Sequence, residues 1–345
     1  MTSAYRIPGG LRAAAIAVAA FAGGMAVLVV FLTVSGFSVT TALQALWRGS
    51  FGSWDAFTSA TLVRATPLVV LGLAFALASR AGALNIGMEG QFILGAIGAT
   101  VVGLHLGDAA PMVAVSATLI AGMFAGMAWM AVPVLLRIRY GVTEVISTLL
   151  LTFIATAVVS WCVTGPLRES SGIYPQSDPI ALAARLPRLL TGSRLHVGVF
   201  LALALSVSLA ILFTRSAWGF RLRAVGAGPI AARVSGGIDT RRIIAGALLW
   251  SGALAGLGGA MEVSGVTYAL YQNLSPGYGF TAIAVALLGR LQPLAIAVAG
   301  LLFGALEAGA GAMQRDAAVP AVAVQVVEAV VILIMIVVAR RTSPA

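Results

Sequence analysis

The sequence predicts an all-α integral membrane protein of about ten transmembrane segments, two of them short or broken. Composition is the first reason: 60% of the 345 residues are hydrophobic and 9% charged, where soluble domains carry about 25% charged residues. Spacing is the second. The apolar residues gather into runs near the roughly 20 needed to cross a bilayer, separated by polar breaks. Charge is the third. All 21 basic residues are arginine, and they crowd into particular breaks, as expected on the cytoplasmic side of a membrane.

The chain opens with Arg6 and Arg12 before an uncharged stretch, Ala13 to Val34. That stretch is longer than the roughly 7–15 residues of a signal-peptide core, so it reads as a retained first span, 13–35. Residues 38–51 are too short and polar to span and are expected along the outer surface. Further spans are expected at about 58–79, 88–104, 111–136, 144–163, 195–214, 243–264, 278–289, 293–313 and 320–339. Alternation from an inside N-terminus puts 14 arginines inside, among them Arg80, Arg137, Arg139, Arg290, Arg340 and Arg341, and 7 outside, among them Arg48, Arg64 and Arg194. Both termini are then cytoplasmic. Trp47, Trp54, Trp161 and Tyr271 fall near the outer interface and Tyr140 and Trp218 near the inner one, as aromatic belts do.

The whole chain, 1–345, reads as one transmembrane domain. It divides into the first span, a first half at 58–163, an outer loop at 164–194, an inner loop at 215–242 and a second half at 243–339. The outer loop holds Pro166, Pro175, Pro179 and Pro187, with a short interfacial helix expected at about Pro179–Leu190. The halves hold four segments each and run in opposite senses, which suggests an inverted repeat, although no sequence identity between them supports it. Gly122 and Gly126, Gly252 and Gly256, and Gly300 and Gly304 have GxxxG spacing, expected to pack helices within one bundle.

Two segments look broken. In Ser79–Gly95, Gly82, Gly87 and Gly90 interrupt the run, and Asn85, Glu89 and Gln91 are polar at membrane depth or just inside it. In Gly277–Pro293 the apolar part, Phe280 to Leu288, is too short to cross alone. Irregular backbone is tolerated there only when buried in protein or facing a water-filled cavity. A pair of interrupted segments in two halves points to a transport path. Tyr278 and Phe280 add aromatic surface beside the second break, for which core packing is the plainer role. Glu89 falls near the start of a helix beginning around Ile86, where the helix dipole stabilises a carboxylate.

The fifth segment carries Glu144, Thr148, Thr152, Thr156 and Ser160 at spacing four, widened by Thr143 and Ser147. That face reads as the hydrophilic wall of a path. The competing reading has each hydroxyl bonding its own i−4 carbonyl and packing. Glu307, beside Gly304 and Gly309, is the best candidate for a buried paired or neutral carboxyl group, while Glu262 and Glu328 fall near membrane ends. Hydroxyls that both donate and accept, with no deep arginine, suit a neutral, polar, roughly nucleoside-sized solute.

Thr214–Arg242 is patterned differently. Arg215, Arg221, Arg223, Arg233, Arg241 and Arg242 face one acid, Asp239. Gly226, Gly228 and Pro229 break any helix before them, and a short helix, Ile230–Val234, is expected to end at Gly236 and Gly237. Such a helix at the inner surface suits docking to another protein; the plainer reading is a topology signal alone.

Other chemistry is excluded by what the chain lacks. Cys162 is the one cysteine, so no intrachain disulfide forms. His105 and His196 lie far apart, and no group has metal-ligand spacing. No phosphate loop, nucleophile elbow or HExxH motif is present. The net charge of +10 is spread over short connections, which argues against nucleic acid.

Several stretches resemble one family. They are LNIGMEGQFILGA (84–96), GVTEVISTLLLTFIA (141–155), RAVGAGPIAARVSGG (223–237), SGALAGLGGA (251–260), GYGFTAIAVALLGRLQP (277–293) and LLFGALEAGAGAMQ (301–314). They resemble permease subunits of bacterial ABC importers of the branched-chain amino acid, simple-sugar and nucleoside group, nearest the nucleoside branch. The resemblance implies a cytoplasmic ABC ATPase docking on Arg221, Arg223, Gly226, Pro229, Ala231, Ala232, Arg233 and Gly236. It also implies a second permease, identical or distinct, an extracytoplasmic solute-binding protein, and the bacterial inner membrane with its lipid. ATP and Mg would sit on the partner, with no cofactor and no catalysis on this chain. Similar permeases often show Asn-Pro-Glu where this chain has Gly228, Pro229 and Ile230. The alternative, an ion-coupled secondary carrier for a small polar solute, needs a deep ion-binding cluster, for which Glu307 alone stands.

Overall fold

The computed structural model describes residues 10–320 and, past these, 322, 323, 325, 326, 329, 330 and 334. The expected last span, 320–339, therefore falls mostly outside the described residues, as do Arg6, Glu328, Arg340 and Arg341. The helices are α1 (Gly10–Val34), α2 (Val39–Ser50), α3 (Leu62–Arg80), α4 (Met88–Leu104), α5 (Pro111–Tyr140) and α6 (Glu144–Thr164). They continue as α7 (Gly198–Arg215), α8 (Ala217–Ala227), α9 (Pro229–Gly236), α10 (Thr240–Glu262), α11 (Tyr278–Leu288) and α12 (Pro293–Ala317). A π turn, Ala56–Thr61, leads into α3, and another, Val263–Thr267, extends α10.

Among the described residues six helices are long and apolar enough to cross a membrane: 56–80, 111–140, 144–164, 198–215, 240–267 and 293–317. Three shorter apolar helices join them, Phe21–Val34, Met88–Leu104 and Tyr278–Leu288. A 25-residue helix is about 38 Å long, ample for a ~30 Å hydrocarbon core. The 11 residues of α11 reach only about 16 Å, so that helix ends within the bundle.

Burial sorts the helices. In the spans built on α3 and α10, 83% and 72% of residues are buried, against 28%, 33% and 28% in α5, α6 and α7. The first two therefore form the centre and the others the periphery. Small residues make this centre close-packed. A Cβ on Gly126 of α5 would lie 2.7 Å from Gly256 Cα of α10, and one on Gly122 would lie 3.0 Å from the Gly95 carbonyl of α4. Gly300 and Gly304 of α12 meet Val69 and Ala65 of α3 in the same way. The GxxxG pairs thus pack helices within this chain. Partners are exchanged between the halves: α4 and α5 lie on α10, while α11 and α12 lie on α3.

Within residues 38–51, α2 packs one face on α12, where a Cβ on Gly309 would come within 2.7 Å of Leu46, and leaves Trp47 and Arg48 on its other face exposed. One expectation changes. The helix expected at Pro179–Leu190 is reduced to one 3₁₀ turn, Leu182–Ala184. Its backbone is committed elsewhere. Ile180 N donates to Tyr268 O (2.8 Å), Ala181 N to Gly103 O (3.0 Å) and Leu186 N to Ser264 O (2.8 Å). The segment is an extended strap over the ends of α4 and α10, and Pro187 has no N–H to continue a helix.

Candidate functional site

The two breaks meet. The carboxylate of Glu89, in the first turn of α4, accepts a hydrogen bond from Gly279 N, in the first turn of α11, at 2.6 Å. Ser275, just before α11, also bonds Glu89. Glycine is required at 279, since a Cβ there would lie 2.6 Å from Glu89 Cα. The positive ends of two helices thus converge on one buried carboxylate, the arrangement helix dipoles favour. Tyr278 is buried and meets Phe92 edge-on, with ring centroids 6.0 Å apart. Phe280, one turn position on, is 42% exposed and faces out of the bundle.

Asn85 and Gln91 close the first break on itself. Asn85 Nδ2 donates to Gln91 Oε1 (2.7 Å) and to Ser251 Oγ (2.9 Å), and Gln91 Nε2 donates back to Asn85 Oδ1 (3.0 Å). Ser251 Oγ donates in turn to Ala74 O (2.7 Å). This buried knot ties α3, the break, α4 and α10 together. Ser251 is missing from the sequence reading, where it is one hydroxyl among the glycines of SGALAGLGGA.

The hydroxyl stripe of α6 lies against the same break. Gly87 and Gly90, which flank Glu89, pack on Thr148 and Thr152, where a Cβ would come within 2.7 Å of Thr148 Cβ and 2.9 Å of Thr152 Cα. The hydroxyls themselves bond their own helix. Ser147 donates to Thr143 O (3.2 Å), Thr148 to Val145 O (3.3 Å), Thr152 to Thr148 O (3.1 Å) and Thr156 to Thr152 O (3.1 Å). Ser147, Thr148 and Thr152 are buried in this seam, whereas Thr156 is exposed and Ser160 half-buried. At the foot of α6, Glu144 pairs with Arg137 and accepts from Leu84 N at 3.3 Å. The structure therefore brings Asn85, Glu89 and Gln91 of the break together with Ser147, Thr148 and Thr152 of the stripe and the start of α11, each held by hydrogen bonds within the chain.

The remaining charges fall differently from the sequence reading. Glu307 is half-buried, near enough to Tyr278 to act on it electrostatically. Among the described residues the buried carboxylates are Glu89 and Glu262, 6% and 7% exposed. Glu262 is covered because α10 runs on into its π turn beneath the strap. Arg64, expected at the outer interface, is half-buried in α3 and acts with Arg194 on Glu262.

At the opposite end, α8 and α9 form an arginine-rich surface pair. Ser216 caps α8 by accepting from Gly219 N (2.9 Å). Gly228 separates the two helices, Pro229 occupies the first turn of α9, and Gly237, at φ 59°, ends it in the left-handed region. Gly226 does not break α8 but lets it approach the Arg80 carbonyl, where no Cβ fits. Arg221, Pro229, Ala231, Arg233 and Gly236 are exposed, and Arg223 is half-buried. Ala232 is turned inward and buried. The sequence reading omits Phe220, Ile230 and Val234, which are 61%, 76% and 79% exposed. Their signal is an apolar surface on a charged helix pair. Beside this pair, a cavity of ≈ 310 Å³ opens between α5 and α10, lined by Arg137, Thr240, Arg241 and Leu248 among others.

Interrupted helices buried at the centre of a many-span bundle define a class, the multi-pass membrane permeases. Comparison with known proteins narrows it. The chain belongs to the family described as branched-chain amino acid transport system / permease component, whose sequence model matches residues 57–339. It is 37% identical to the glucose ABC transporter permease protein of Haloferax volcanii, over 80% of this chain and 74% of that one. It is 35% identical to the guanosine ABC transporter permease protein of Bacillus subtilis, over 90% and 89%. It is 32% identical to the nucleoside ABC transporter permease protein of Lactococcus lactis, over 79% and 77%. No solved structure matches it. The protein is the permease subunit of an ABC importer, with a transport role rather than a catalytic one. The secondary-carrier alternative is not favoured.

Proposed function

We propose that this chain forms the translocation path for a neutral nucleoside or simple sugar, and that the seam around Glu89 is that path in its closed state. The observation that carries this is the meeting of two interrupted helices at one buried carboxylate. Broken helices at membrane depth belong where a path must open. Asn85, Glu89, Gln91, Glu144, Ser147, Thr148, Thr152 and Tyr278 line or border this seam, while Thr156 and Phe280 stand outside it. Parting α4 from α6 and from α11 exposes hydroxyls, an amide pair and an aromatic edge, all suited to sugar hydroxyls and base edges. No arginine is among these seam residues, which supports a solute without charge. The names of the relatives, for guanosine, nucleosides and glucose, agree with that class.

The partner scheme follows from the same reading. A cytoplasmic ABC ATPase carrying ATP and Mg docks on α8 and α9. A second permease completes the path, and an extracytoplasmic binding protein delivers solute to the strapped end. The chain acts as one permease domain in a bacterial cytoplasmic membrane, with about ten spans and both termini inside. The exchange of partners, α4 and α5 on α10 against α11 and α12 on α3, supports an inverted repeat. Co-expression tests the scheme. The ATPase should co-purify with this chain, and vesicles bearing the full system should take up labelled guanosine or glucose only with ATP. Failure of the ATPase to associate overturns it.

A further inference from the structure

Arg80 joins the surface helices to the buried break. It ends α3, and its backbone carbonyl lies against Gly226 of α8, so closely that only glycine fits there. Its guanidinium stacks over the ring of Phe213 at 4.7 Å, near the end of α7 and just before α8. Nε and Nη2 then reach across the bundle to one acceptor, Leu291 O, at 3.1 and 2.9 Å. The sequence separation is 211 residues. Arg223 of α8 is close enough to act on the Arg80 charge, and among the described residues Arg80 has no ion pair.

The far end of that contact is strained. Arg290 and Leu291, between α11 and α12, have φ of 51° and 56°, a left-handed backbone that bulky residues rarely adopt. Such strain persists where surrounding structure over-determines it. Here backbone bonds from Arg290 N and Leu291 N back to α11 share the turn with two donors on the Leu291 carbonyl, from a guanidinium itself clamped on an aromatic ring. Lysine cannot reproduce the fork and the stack together. The turn is the C-terminal end of α11, and α11 is a rod of about 16 Å. Its other end is Gly279, donating to Glu89.

We propose that Arg80 is a positioning residue that couples the α8–α9 docking surface to the Glu89–Gly279 junction, with α11 as the lever between them. This rests on the permease reading above. A shift of α8 moves Gly226 against the Arg80 backbone. The guanidinium carries the shift to Leu291, and the strained turn gives α11 a second arrangement to move towards.

The test uses the assembled complex with its ATPase and second permease. Cys162 is the one cysteine in the sequence, so a Cys162→Ser chain bearing Phe280→Cys has a single exposed thiol on the first turn of α11. Labelling of that thiol is timed with and without a non-hydrolysable ATP analogue. With Arg80 present, the nucleotide should change the rate by roughly tenfold, within the range of ordinary coupling energies. Arg80→Gln should abolish the change, and Arg80→Lys should recover little of it, while the ATPase still co-purifies. Gly226→Ala attacks the other contact and carries the test if Arg80→Gln does not accumulate. A nucleotide response that persists in either variant overturns the proposal. So does a thiol that never responds although the ATPase is bound. Absence of the ATPase from the complex instead overturns the permease scheme itself.

Discussion

Glu89 and Gly279 lie 190 residues apart, yet one carboxylate oxygen of the first accepts the backbone N–H of the second at 2.6 Å. The bond joins the first turns of two helices that each start inside the bundle. Neither helix could start there alone, because orphan N–H groups at a buried helix start need an acceptor.

Substitutions at this junction should separate fit from charge. Gly279→Ala puts a methyl group against Glu89 Cα and should cost about 1–3 kcal/mol, the usual penalty of overpacking. Glu89→Gln keeps an acceptor of the same shape, so its stability cost should stay near about 1 kcal/mol. Thermal unfolding of both variants in detergent measures the difference. Equal losses would mean that the close approach at Gly279 is not the constraint.

The docking surface makes a sharper contrast. Ile230→Glu and Val234→Glu change exposed positions, so the permease should stay folded in the membrane while ATPase co-purification falls by about tenfold or more. Ala232→Glu buries a charge without a partner and should reduce the amount of folded chain instead. Membrane abundance and pull-down, read together, check both halves. Full ATPase recovery with Ile230→Glu and Val234→Glu combined would leave α9 without a docking role.

The hydroxyl stripe should tolerate loss of its hydroxyls. Thr148→Val and Thr152→Val remove donors that serve only their own helix, so each should cost no more than about 1 kcal/mol. Gly87→Ala and Gly90→Ala force α4 off α6 and should cost about 1–3 kcal/mol. Denaturation midpoints decide the order. If both valine variants also abolish uptake while remaining stable, the hydroxyls meet solute when the seam parts.

Much of this was open to reading in the chain, and the exceptions have physical causes. Helix α9 is legible because a Gly-Pro start and a Gly-Gly stop leave the backbone little choice. The two breaks are legible as interruptions, but their meeting is not, since no local pattern tells which loops face each other. Hydroxyl periodicity on α6 fits a path and a seam equally, because back-bonding satisfies the same residues in both. The strap at 179–187 defeats helix expectation through hydrogen bonds to Gly103, Ser264 and Tyr268, all distant in sequence. Glu307 draws attention by its glycine neighbours, whereas the deeper Glu262 is covered only once the strap folds over it.

The loop before the strap predicts an acid response. Glu169, exposed between α6 and the strap, accepts from Ser171 Oγ (2.5 Å), Tyr174 N (2.8 Å) and Gln176 Nε2 (2.7 Å). These donors hold its carboxyl down at about 2, from the usual 4.5. A depressed carboxyl contributes order fully above its unfolded value and loses it as the folded value is crossed. Order in residues 169–176 should therefore hold above pH 4.5 and weaken as the pH falls towards 2. Hydrogen exchange at Tyr174 N measures it, and Glu169→Gln should raise that exchange at neutral pH. A wild-type exchange rate that already rises above pH 5, after correction for intrinsic chemistry, would contradict the account.

Uptake by sealed vesicles carrying this chain with its ATPase, second permease and binding protein tests the central claim most directly. The measured quantity is accumulation of labelled guanosine and of labelled glucose, with ATP, without ATP, and with ion gradients collapsed. The account predicts that at least one of these neutral solutes accumulates only with ATP, survives collapse of the gradients, and is displaced by neutral analogues rather than by nucleotides or acidic amino acids. Accumulation that ignores ATP and vanishes with the ion gradient would contradict it.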